Sequence, residues 1–93
     1  MKRINEVINN ALVKYNLKNK IKEIEIISKW DKIVGELISK HTAPRGIYYK
    51  KFIIDVDSPI WANELSLIKD KLIEKINSEI GSNVVKDIKF KLK

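Results

Sequence analysis

Bond-making chemistry needs side chains that converge and whose pKa values are shifted for the task, and this chain offers few candidates. The single histidine, His41, and the acid pair Asp55 and Asp57 are the residues best suited to proton transfer or metal binding. One imidazole can complete neither a zinc site nor a Ser-His-Asp arrangement. Two carboxylates two residues apart share one face of a strand, a spacing common on solvated edges. The plainer reading makes His41 a hydrogen-bonded loop or strand residue. It places the two aspartates beside a helix N-terminus, where the macrodipole favours negative charge. Cysteine is absent, which removes thiol nucleophiles, thiolate metal sites and disulfides together. The glycines Gly35, Gly46 and Gly81 are isolated from one another, so no phosphate-cradling loop is present. The sequence reads as a non-enzymatic chain with neither cofactor nor metal.

Recognition of phosphates and bases is better served. Tyr48 and Tyr49 stand between Arg45 and the Lys50-Lys51 pair, the one cluster in which basic and aromatic residues interleave. Aromatic faces stack on unpaired bases while Lys and Arg neutralise phosphates, so this cluster is the first candidate for binding nucleic acid. The lysines of the C-terminal segment, Lys89, Lys91 and Lys93, are the second. Trp30 and Trp61 could also stack, but both lie on apolar helical stripes, which favours burial.

The 93 residues carry 19 Lys and Arg against 12 Asp and Glu, a net charge of +7. That excess suits an acidic partner: nucleic acid, an acidic protein surface or an anionic membrane face. It also has a bland reading as solvated surface. Nearly all the positive charge is Lys, spread along the chain without a basic block, and Lys-, Ile- and Asn-rich composition can follow from genome composition or thermophily. The hydrophobic content of 44% with 33% charged residues fits one small folded unit. No apolar run approaches the roughly 18 residues that span a bilayer. The opening Met-Lys-Arg-Ile-Asn-Glu lacks the apolar segment of a secretory leader. A cytoplasmic location without membrane contact is the expectation.

The candidate residues must be positioned by alternating helices and strands. Ile4, Val7, Ile8, Ala11, Leu12 and Tyr15 predict a first amphipathic helix over 2–15. Leu17, Ile21, Ile24, Ile27 and Trp30 continue the period in a second, which runs on through Ile33, Val34, Leu37 and Ile38. Gly35 inside it marks a bend or a close backbone approach. Pro44 and Gly46 end helical structure. A strand from about His41 to Tyr48 then pairs, through a turn at Tyr49-Lys50-Lys51, with a strand in which Phe52, Ile54 and Val56 share one face. Ser58 as N-cap and Pro59 at the first helical position start a long helix. Its stripe is Trp61, Leu65, Ile68, Leu72, Ile76 and Ile80, and Gly81 ends it. A last strand sets Val84, Ile88, Phe90 and Leu92 on one face, with Val85, Asp87, Lys89, Lys91 and Lys93 on the other. The expectation is an α+β domain of order α-α-β-β-α-β, its three-stranded sheet covered by helices on one face.

Three segments, taken in order, resemble the DciA family. They are Trp30-Asp31-Lys32-Ile33-Val34-Gly35, then His41-Thr42-Ala43-Pro44, then the run from Ile54 through Ser58, Pro59 and Trp61 to Leu65. Each is weak alone; the ordered set is specific and covers about residues 20–92. The resemblance implies a domain similar to the KH fold, over residues 1–93 as one unit, and a role in loading or operating the replicative DNA helicase of bacteria. It implies contact with that helicase, DnaB, and with single-stranded DNA, without nucleotide hydrolysis. A KH domain clamps the nucleic-acid backbone with a Gly-x-x-Gly loop, which this sequence lacks. Contact would therefore rest on Arg45, Tyr48, Tyr49, Lys50, Lys51 and the C-terminal lysines, while Trp30, Val34, Gly35, His41, Pro44, Ser58, Pro59, Trp61 and Leu65 are structural. The rival reading is a protein-only interaction module, homodimeric through an open sheet edge or a helix face.

Overall fold

A computed structural model describes residues 17–93, so the helix expected over 2–15 lies outside the described residues. The description opens in helix over 17–28, labelled α1. There follow α2 (Trp30–Val34), α3 (Glu36–Lys40), β1 (Thr42–Tyr48), β2 (Lys51–Val56), α4 (Pro59–Leu67), α5 (Lys69–Ile80) and β3 (Asp87–Leu92). The α+β class and the three strands agree with the sequence. Both long helical stretches, however, are broken.

The first break is at Gly35, whose φ of 89° lies where a Cβ would clash with its own backbone. A side chain there would meet nothing within 4 Å. Of the two readings of this glycine, the bend is therefore the one realised. The second break is at Ile68, which leaves helical geometry at φ −109°, ψ 18° while its amide still bonds Leu65 O at 3.2 Å. The single stripe expected from Trp61 to Ile80 is split accordingly. Leu65, Leu72, Ile76 and Ile80 are buried, but Ile68 is exposed at the kink.

The face of α1 is also rotated from expectation. Leu17, Ile21 and Ile24 are exposed, and Ile26, followed by Trp30, Ile33 and Val34, supplies the buried face. Apolar residues point in several directions around this helix, and only its docking onto the sheet selects among them.

The sheet has the order β1-β2-β3, with β1 antiparallel and β3 parallel to the central β2. Parallel neighbours need a crossover, and α4 with α5 provides it. Phe52, Ile54 and Val56 turn toward the helices and are almost wholly buried, joined from β3 by Ile88. Phe90 packs against this core from its margin. Trp30 meets Phe52 edge-on at 5.4 Å between ring centroids. Its indole N–H donates to Thr42 Oγ1 at 2.8 Å, and that hydroxyl donates to Ile38 O at 2.8 Å, so one short chain ties α2, α3 and β1 together. Burial of Trp30 agrees with its place on the helical stripe.

The last strand begins later than its alternation predicts. Val84 and Val85 precede β3, and Val85, expected on the outer face, is buried. The Asn77 side chain explains this: its amide donates to Val85 O at 2.8 Å while its carbonyl accepts from Val85 N at 3.0 Å. Those two bonds replace sheet pairing and press the valines into the core. Leu92, at the other end, is exposed.

Candidate nucleic-acid interface

Alternation along β2 turns Lys51, Ile53 and Asp55 away from the core, onto the face that no described helix covers. The antiparallel register sets Tyr48 beside Lys51 and Gly46 beside Ile53. The parallel register sets Lys89 beside Ile53 and Lys91 beside Asp55. Tyr48, Lys51, Lys89 and Lys91 thus surround Ile53 on one open face, although they come from three strands. Lys93 follows the end of β3, where its amide bonds Val56 O at 3.0 Å. Arg45 is the extra residue of a bulge between Pro44 and Gly46, and its Nε lies 3.3 Å from Asp55 Oδ2 at the edge of the same face. Its charge is therefore partly offset. The Tyr48 ring lies back over Gly46, where an added Cβ would come within 2.9 Å of the phenol oxygen. Glycine lets the aromatic lie against the strand with its face available.

Tyr49 and Lys50 form the tip of the hairpin, a two-residue loop that leaves Lys51 inside β2, one residue shorter than the turn expected. Both tip residues have positive φ, 52° and 66°. A loop of this kind favours Asn-Gly, because side chains larger than Asn in the left-handed region cost about 1–2 kcal/mol each. The turn is held from behind: Lys50 O accepts from the amides of Lys86 at 2.8 Å and Asp87 at 3.2 Å. The tip is therefore strained, firmly seated, and presents a fully exposed Tyr49 ring.

Asp87 is the second acid among these lysines. A hydrogen bond from Lys69, at 3.2 Å, is the main cause that lowers its pKa; the Ile88 amide adds to it, desolvation opposes it, and the charges of Lys69 and Lys51 contribute less in the lowering direction. It stays ionised and trims the positive field at the Lys51 end.

The other end of β2 leads into α4. Ser58 Oγ accepts from Trp61 N at 3.2 Å and Pro59 occupies the first turn, as expected for a capped start. His41 Nδ1 lies 2.9 Å from Asp57 Oδ2, and the imidazole stacks on Trp61 at 4.7 Å with 17° between planes. This is the hydrogen-bonded role the sequence favoured for His41. The two aspartates take separate partners: Asp57 pairs with His41 next to the helix start, whereas Asp55 pairs with Arg45 across the sheet. Trp61 is only half-buried, because its outer face is closed by an imidazole and not by the core. Val34 and Leu65 are buried, and Pro44 sits in the edge strand β1, where a missing N–H is tolerated.

Beyond the residues singled out from the sequence, Lys18 and Lys22 of α1 join Lys50 around a cleft of about 400 Å³, which Asn19, Ser82 and Asn83 also line. Their spacing of four on one helix face was the available signal. Nothing local showed that the hairpin tip would meet them.

The sequence matches the family model described as "Dna[CI] antecedent, DciA" over residues 3–90. Curated relatives include a UPF0232 protein of Rhodococcus jostii (strain RHA1), 28% identical over 71 residues, which are 76% of this chain and 38% of the relative. Another is a UPF0232 protein of Streptomyces avermitilis, 30% identical over 66 residues, which are 69% of this chain and 36% of the relative. The chain spans well under half the length of these relatives. With the match running over nearly the whole chain, including every motif from Trp30 to Leu65, the chain belongs to the DciA family.

Proposed function

We propose that this chain is a non-enzymatic adaptor of DNA replication, which binds single-stranded DNA on the sheet face that no described helix covers and engages the replicative helicase DnaB to assist its loading in the bacterial cytoplasm. The working unit is the whole chain as one module similar to a KH domain, with its core at about residues 20–92. The observation that carries the DNA half is the register: it gathers Tyr48, Lys51, Lys89 and Lys91 around Ile53 on one face, with Arg45 at its edge. An apolar and aromatic floor ringed by lysines suits unpaired bases below and phosphates around them. Tyr49 and Lys50 extend that surface at the tip, and Lys93 extends it at the far end. Among the described residues no helix is long and apolar enough to cross a membrane. The helicase half rests on family membership.

A second reading, a module that binds only protein, is favoured by Ile60 and Leu67. They lie seven residues apart on one face of α4, each about three-quarters exposed. Homodimer formation through the β1 edge is disfavoured by Pro44 and the bulge at Arg45, both of which interrupt a pairing edge.

Fluorescence anisotropy with single-stranded DNA and a pull-down with the helicase, each run on the wild type and on Lys50→Glu/Lys51→Glu, separates the readings. DNA affinity should fall by at least about tenfold in the variant, and the wild type should weaken with a log–log salt slope of about −0.7 per phosphate contacted. Helicase capture should be retained. A wild type that binds no DNA even at low salt would leave only the protein-binding module standing.

A further inference from the structure

We propose that the cleft between α1 and the loop after α5 is a second phosphodiester-binding site, which receives single-stranded DNA leaving the sheet face around the hairpin tip. This rests on the sheet face being the primary DNA surface, and adds Lys18, Lys22 and Asn83 to the footprint.

Three observations carry it. The first is convergence: Lys18 and Lys22 from α1 and Lys50 from the hairpin tip line one cleft of about 400 Å³, together with the neutral donors Asn19, Ser82 and Asn83. The acid in its lining, Glu23, lies 3.9 Å from Lys20. Lys22 Nζ also reaches Ile80 O, the last carbonyl of α5, at 3.5 Å. Three lysines lining one cleft raise its positive potential, which an anion bound there relieves.

The second is rigidity. The wall at Ser82 to Val84 is fixed by the left-handed cap at Gly81, by Val84 N donating to Ser82 O at 3.0 Å, and by the Asn77 clamp on Val85. Opposite, the strained tip is seated by the two amides on Lys50 O. A ligand entering this cleft meets donors already ordered on two sides.

The third is continuity. Lys50 lies between Lys51, which belongs to the sheet face, and the cleft, so a strand crossing the tip passes from one lysine-bearing surface to the other, beside Asp87, whose charge Lys69 offsets at 3.2 Å. The character of the lining selects the ligand. Among the described residues of its lining the one apolar side chain, Val84, is buried and none is aromatic, so they offer neither the hydrophobic anchor a protein partner needs nor a platform for bases. Backbone phosphates are what such a surface binds, without regard to sequence.

The test is anisotropy with labelled oligothymidylates of about 6 and about 20 nucleotides, the shorter sized to one sheet face, on the wild type, Lys18→Glu/Lys22→Glu and Lys18→Gln/Lys22→Gln. The wild type should bind the longer probe more tightly. Both variants should leave the short probe unchanged and weaken the long one, by about tenfold for Glu and less for Gln, with a shallower salt dependence. The Gln pair, which removes the charge without reversing it, guards against misfolding by charge reversal, and circular dichroism checks both. An unchanged long-probe affinity, or an equal loss on both probes, overturns the second site while leaving the sheet face intact. Loss of helicase capture with DNA binding unaltered overturns it in favour of a protein partner. Failure of the wild type to bind either probe removes the primary reading and this one with it.

Discussion

The two ends of β2 are built on opposite principles. At its C-terminal end every local preference is met: Ser58 caps α4, Pro59 fills the first turn, and His41 lies between Asp57 and Trp61. At its N-terminal end the rules are broken: two residues with full side chains take the left-handed region where Asn-Gly would be at ease, and one is a tyrosine with its whole ring in water. A sequence tends to keep a local conflict where the conflicting side chains do something else. The junction from Ser58 to Trp61 is thus built to hold the domain, and the Tyr49-Lys50 tip is the part we propose binds DNA. That reverses the order in which the two attract notice in the sequence, where the junction carries the family motif.

The division is broken most directly at Trp61. Replacing it with alanine removes the ring that stacks on His41 and part of the cover of α4. Since the indole is half-buried, the cost should be about 2 kcal/mol, below the range for a fully buried aromatic. Urea denaturation measures it, and DNA affinity of the folded protein should be unchanged. A loss of DNA binding at full stability would place the junction in the interface and void the comparison. The next effect is smaller. Ser58→Ala leaves the Trp61 amide without its side-chain acceptor and should lower stability by about 1 kcal/mol, again with DNA affinity intact.

How much of this was legible in the sequence follows the same divide. The junction could be read residue by residue because capping, a proline in the first turn and the 3.6-residue period are all local. The same holds for Gly81 at the end of α5 and for the alternation of Phe52, Ile54 and Val56. What escaped was decided at a distance. The kink at Ile68 and the choice of Ile26 over Ile24 come from how the helices seat on the sheet, and the inward turn of Val85 from an asparagine eight residues earlier. The site was half legible: Arg45, Tyr48, Lys50 and Lys51 stand together in the chain. Their meeting with Lys89 and Lys91 needs the parallel register, which only the crossover through α4 and α5 creates. Lys18 and Lys22 depend on the tip reaching α1, which no local pattern encodes.

The sharpest comparison comes from the smallest change in stability. Tyr49→Asn/Lys50→Gly places the preferred pair in the same loop, so the left-handed strain of both residues is released. Glycine gives part of this back, since it loses more backbone freedom on folding. The net should be a gain of about 0.5–1 kcal/mol, read as a raised urea midpoint with an unchanged slope. The substituted tip keeps its fold because the anchors on residue 50 are backbone ones, the carbonyl that accepts from Lys86 and Asp87. It loses a stacking ring and one ammonium group, so DNA affinity should drop by about tenfold or more, with fewer phosphates released per binding event. A variant both more stable and weaker at binding marks the strain as maintained for function. One that is less stable would mean that the tyrosine holds the hairpin together by contacts its exposure does not show, and the tip would join the junction as structure.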